Sequence, residues 1–171
     1  MAGVDISGSG GGGGFVSGAY LNAYSDQTQN LAGLPLSQTQ VSFGTTVFSS
    51  GITIAGAGLT DIVFDNAGIY NVQFSIQVTN NSSNEHEFYL WASKNSFYEP
   101  DTLSIVTIPR DRGGVSGHYI SAWNLFFQVN AGDNVGLLWT ANNANISIQK
   151  IVSPGGGIPS APSVILTVSQ V

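Results

Sequence analysis

From Phe15 onward the chain alternates apolar and polar residues with a period of two, the pattern of strands that bury one face. The clearest run covers 68–78, where Tyr70, Val72, Phe74, Ile76 and Val78 share one side and Asn71, Gln73, Ser75 and Gln77 the other. It predicts a half-buried antiparallel strand. The polar cluster Asn80, Asn81, Ser82, Ser83 and Asn84 reads as a turn, and an aromatic strand resumes over 88–92, so the two form a hairpin. Further strands are predicted at 103–108, 119–129, 134–140, 146–151 and 163–168, and shorter ones at 18–24, 40–43, 52–54 and 60–64. Pro, Gly, Asn and Asp separate them, with Ala131-Gly132-Asp133 as a turn between two of them. Nothing longer than one turn reads as helix.

Eight or more short strands with regular turn spacing predict an all-β fold, an antiparallel jelly-roll β-sandwich, because double-sheet packing hides strand edges. Phe74, Leu90, Phe126 and Leu137 are expected to fill its core. Residues 7–14, two Ser-Gly pairs running into a glycine tract, carry no side chain able to pack. Residues 1–18 are therefore read as a flexible, extended N-terminal arm and residues 19–171 as the jelly-roll domain. Such an arm becomes ordered against a partner, which makes Gly10, Gly11, Gly12, Gly13, Gly14 and Phe15 the candidate partner-binding residues.

Composition narrows the function. At 171 residues the chain fits one domain, which buries roughly 70% of its unfolded surface and needs no staple. Having no cysteine, it has no disulfide, thiolate metal site or cysteine nucleophile. Four basic residues against ten acidic ones give a net charge of −6 and no basic stripe, so nucleic acid is not an expected partner. Charged residues make up only 8% of the chain, against roughly 25% in an ordinary soluble domain. A surface of short uncharged side chains repels its own copies weakly, which predicts assembly. No apolar run approaches the roughly 18 residues of a membrane span, and 1–15 lack the basic start and apolar centre of a secretion signal.

The candidate chemistry is thin, and no enzyme, cofactor or metal site is expected. His86 between Glu85 and Glu87 has the residue types of a metal site, but neighbours along a strand point to opposite faces and do not converge. A solvated loop is the expectation there. His118 with Ser116 or Ser121 would be needed for a hydrolytic triad, yet neither serine stands in a Gly-x-Ser-x-Gly elbow, and a loop histidine is expected. Glu99/Asp101 and Asp61/Asp65 are the nearest carboxylate pairs and read as turn residues. The glycine tract lacks the Gly-Lys-Ser/Thr ending of a phosphate loop. Asn80, Asn81 and Asn145 match the short Asn-x-Ser pattern, which arises by chance in so Asn- and Ser-rich a chain. Trp91, Trp123 and Trp139 could form a carbohydrate platform, but aromatics in alternating strands are expected in the core or at a subunit interface.

The runs Gly68-Ile-Tyr-Asn-Val, Phe88-Tyr-Leu-Trp-Ala-Ser-Lys-Asn95 and Val129-Asn-Ala-Gly-Asp-Asn-Val resemble the complement-globular-head and tumour-necrosis-factor type of jelly roll. In that superfamily a Gly-x-Tyr strand, a Lys-Asn turn and a Gly-Asp turn recur. The segments 108–124 and 162–171 more closely resemble structural proteins of tailed phages, of marine and cyanobacterial type, that serve as capsid decoration, head fibres or tail fibres. The resemblance implies a compact homotrimer with a hydrophobic axis. No collagen-like Gly-x-y stalk precedes the domain, and an arm of about 15 residues reaches at most roughly 50 Å. The resulting expectation is a trimeric decoration or cement protein on the phage particle surface, held to the major capsid protein or another virion protein by its arm. The alternative is a receptor-binding or adhesion tip, in which loops 80–87 and 98–102 meet a host glycan or receptor.

Overall fold

The computed structural model describes residues 18–171. These contain fourteen strands and no helix: β1 (Tyr20–Ser25), β2 (Gln29–Asn30), β3 (Thr39–Gln40), β4 (Thr45–Ser50), β5 (Ile52–Ala55), β6 (Asp61–Phe64), β7 (Gly68–Asn80), β8 (His86–Lys94), β9 (Phe97–Tyr98), β10 (Ser104–Ile108), β11 (Gly117–Val129), β12 (Asn134–Ala141), β13 (Ile146–Ile148) and β14 (Val164–Gln170). They form two antiparallel sheets in an all-β, jelly-roll-type sandwich. The first sheet runs β2-β13-β7-β14-β1-β4, with β11 also on β7. The second runs β10-β8-β12-β6-β5, with β3 on β12 and β9 on β8.

β7 organises the first sheet. Its register with β11 runs unbroken from Gly117↔Asn80 to Val129↔Gly68, so β13 and β14 share its opposite edge end to end. The alternation predicted for this strand holds: Tyr70, Val72, Phe74, Ile76 and Val78 are buried. Facing them from the second sheet are Phe64, Phe88, Leu90, Leu137 and Trp139. Phe64 packs on Tyr70 across the two sheets at 4.5 Å between ring centroids, and Trp139 stacks on Phe88 at 5.6 Å. The buried Tyr70 hydroxyl donates to the Asn66 carbonyl, 3.0 Å away, and burial raises its pKa above the ordinary tyrosine value.

The chain changes sheet between β4 and β5 at Gly51, whose φ is +67°. A Cβ there would lie 2.9 Å from that of Ala19, so the corner requires glycine on both counts. The two turns read from the superfamily resemblance lie side by side. Asn95, at φ 51°, donates from Nδ2 to Asp133 Oδ1 at 2.9 Å, and its Oδ1 accepts the Asn134 amide at 2.9 Å. Lys94 Nζ lies 3.6 Å from Asp133 Oδ2 and donates to the Gln128 carbonyl at 2.6 Å. The Asn130 amide and then Asn95 hold the Asp133 carboxyl below the usual carboxylate range.

Several expectations are corrected. β4 has no apolar alternation and is exposed along most of its length, so only its pairing with β1 defines it. Phe126 is not in the core: it is 61% exposed, because the β11 register turns Trp123, Leu125 and Phe127 inward instead. His86 is the first residue of β8 and Asp61 the first of β6, neither in a turn. His118 is a strand residue of β11.

Candidate functional site

The two histidine-centred candidate sets are not assembled, whereas Glu99 and Asp101 line one groove of the second sheet. His86 Nε2 and Ser82 Oγ share a 3.0 Å hydrogen bond, while the Glu87 carboxylate accepts the Tyr89 hydroxyl. No cluster of three His, Cys, Asp or Glu side chains able to hold a metal occurs among the described residues. His118 Nδ1 meets Thr79 Oγ1 at 3.2 Å, and Ser116 Oγ donates to Asn81 Oδ1 at 2.6 Å. Ser121 is buried on the core side of β11, with its Oγ unpartnered. The Asn80 amide is also buried, donating to the Asn84 and Ile108 carbonyls at 2.9 and 3.3 Å. That end of loop 80–87 is thus structural. Gly10 to Gly14 and Phe15 lie outside the described residues.

Two surfaces remain, one on each sheet. Among the described residues, no Asp, Glu, Lys or Arg occurs in any strand of the first sheet. Its outer face carries Asn71, Gln73, Ser75 and Gln77 from β7, flanked by Ile120 and Phe126 from β11 and by Ile165 and Thr167 from β14. Phe126, Ile120 and Ile165 are all exposed, and on the far edge Phe48 meets Tyr20 edge-on at 5.9 Å. Beside Ile120, a recess of about 410 Å³ lies between Gln77, His118, Tyr119 and Ile151. Among the described residues, the 13 residues of β11 pair only with β7, and its other edge carries no strand.

On the second sheet, Tyr89 and Trp91 of β8 and Thr140 of β12 point away from the core, between Phe88, Leu90 and Trp139, which point into it. Trp91 is therefore not a core residue, unlike Trp139, whereas Trp123 packs on the core's margin. Two loops rise over this face. Loop 31–38 is pinned by the Leu36 amide donating to the Ala141 carbonyl at 2.8 Å and by Thr140 Oγ1 donating to the Ser37 carbonyl at 2.8 Å. The other rim is β9 with loop 99–103, anchored where Thr102 Oγ1 donates to the Glu99 carbonyl at 2.8 Å and accepts the Ala92 amide at 3.0 Å. Between them lies a groove of about 470 Å³, lined by Leu36, Gln38, Tyr98, Glu99 and Leu103 as well as the floor residues. Tyr98 ties the rims together by donating to Gln38 Oε1 at 2.7 Å.

Loop 98–102 was a candidate from sequence, and Trp91 a possible platform residue. The opposite rim, from Leu36 and Gln38, carried no sequence signal, since only strand pairing brings it beside β8.

No protein-family model matches the chain, and no curated protein matches it. Among solved structures, the globular domain of the zebrafish complement 1qA protein is similar at a TM-score of 0.47 and 11% sequence identity, over 90% of this chain and 97% of that one.

Proposed function

We propose that this chain is a structural protein of a phage particle, a homotrimer whose outer first-sheet faces and open β11 edges are buried between copies, and whose residues 1–18 hold it to the major capsid protein or another virion protein. The observation that carries the reading is the first sheet, none of whose described strands holds an Asp, Glu, Lys or Arg. Proteins ordinarily protect edges and open faces with lysine, proline or bulges, because an uncharged edge templates pairing. Here the face presents amides, hydroxyls and exposed Ile120, Phe126 and Ile165, the depleted-charge composition of an interface core. A stable contact buries roughly 800 Å² per partner. Closed cyclic assembly covers it without making a filament. The count of three follows from the superfamily resemblance.

As a decoration protein it would clamp neighbouring capsomers through many weak contacts multiplied by trivalency. Quantitative mass spectrometry of purified particles tests this. A copy number comparable to the capsid lattice is expected; a handful of copies per particle would place the protein elsewhere. The second reading, an adhesion tip, is favoured by the groove under loop 98–102, since recognition sites concentrate in loops held on a rigid scaffold. Replacing that loop would then abolish host adsorption and leave particle stability unchanged.

A further inference from the structure

We propose that the groove on the second sheet binds an organic ammonium group, held by the ring faces of Trp91, Tyr98 and Tyr89 and by the carboxylates of Glu99 and Asp101. The rings come first. Trp91 and Tyr98 stand at 86° with centroids 6.2 Å apart, and Tyr89 lines the same floor. The pair sets two ring planes nearly at right angles beside the groove, and a cation over the open face of either ring is attracted by its quadrupole.

The hydrogen-bond inventory points the same way. Both phenols have already committed their protons, Tyr98 to Gln38 Oε1 and Tyr89 to Glu87 Oε2. Thr140 has committed its own to Ser37. Their oxygens remain only as acceptors, and the rings are held in place by the same bonds. The hydrogen bond to Glu87 also raises the Tyr89 pKa, so the phenol keeps its proton.

Charge then selects the ligand. Glu99 and Asp101 line the groove, and no basic side chain does. The ion pairs among the described residues, Lys94–Asp133 and Lys150–Asp26, involve neither of them. A negative potential left uncompensated by the chain repels a carboxylate or phosphate; a neutral sugar can stack and donate hydroxyl hydrogen bonds to the carboxylates, but only a cation gains from the net charge as well. The volume suits a small headgroup. Because the groove lies on the sheet opposite the charge-free face, the inference does not depend on how the chain assembles.

The test is titration of the full chain by saturation-transfer NMR with four probes: choline, n-butylammonium as a lysine side-chain mimic, 3,3-dimethylbutan-1-ol as the neutral isostere of choline, and methyl α-glucoside. At least one cation is expected to bind about tenfold or more tighter than the isostere, and added salt to weaken it. Preference for choline identifies a quaternary headgroup as the ligand, and preference for butylammonium a lysine side chain. Trp91→Ala should weaken the cation about tenfold, as should Glu99→Gln with Asp101→Asn together. The paired carboxamide changes and Tyr98→Leu, at exposed or half-exposed positions, keep the test decisive if Trp91→Ala fails to fold. Equal binding of choline and its isostere, preference for the glucoside, no cation binding at about 50 mM, or cation binding indifferent to these substitutions would overturn the proposal.

Discussion

The outer faces of the two sheets rest on one interior, yet they differ in charge, cover and relief. The face of β7, β11, β14 and β1 is open, uncharged and dotted with exposed Ile120, Phe126 and Ile165. That of β8 and β12 is overlaid by two loops that leave an acidic, aromatic groove. The strands that face the core most fully in each sheet, β7 and β8, alternate in the same way, so along them the core constrains mainly every second residue. The remaining positions are free to differ, and we propose different uses for them on the two sheets: a broad surface that meets copies of itself, and a small recess that holds a ligand.

The largest effect tests what the faces share. Trp139→Ala removes a fully buried ring stacked on Phe88 and should cost about 3–5 kcal/mol. Urea denaturation would show that loss, and both surfaces should fail together. Next, Phe126→Asp with Ile120→Asp should separate them. Central aromatic and aliphatic anchors are worth about 2 kcal/mol or more of association each, so light scattering should report single chains while the groove still titrates with its probe.

Asp133→Asn sharpens the contrast from the second sheet's end. The folded pKa of Asp133 lies below its unfolded value, so its stabilisation is complete at neutral pH and fades as pH falls through the ordinary carboxylate range toward the folded pKa. The gap in urea midpoint between parent and variant should therefore be widest near pH 7 and close below about pH 4. Val152→Ser lies in a loop outside both faces and should change stability by no more than about 0.5 kcal/mol by the same assay.

How legible this was in the sequence depended on the physics of each element. β7 was readable because every second residue is apolar and the strand is buried on one side only. β4 was not, because Thr45 to Ser50 buries neither face and is a strand only by its bonds to β1. The Phe126-Phe127 pair shows a second limit. One of two adjacent aromatics must face out, and composition does not say which; the thirteen-position register with β7 decides. Low overall charge was visible at once and predicted assembly. Its concentration in loops and the second sheet was not, since that requires knowing which strands pair. For the same reason Trp91 read as core or interface: alternation places it opposite Leu90, but only the loops at Leu36 and Tyr98 make its side of the sheet a groove.

The account turns on the uncharged first sheet being covered by other copies, and the mass of the full chain in solution tests this most directly. Light scattering on the purified protein at about 10 μM, well above the dissociation constant of a standard-size interface, should give three chain masses, reduced to one by Phe126→Asp with Ile120→Asp. A single-chain mass in the parent protein, unchanged by those substitutions, would contradict it.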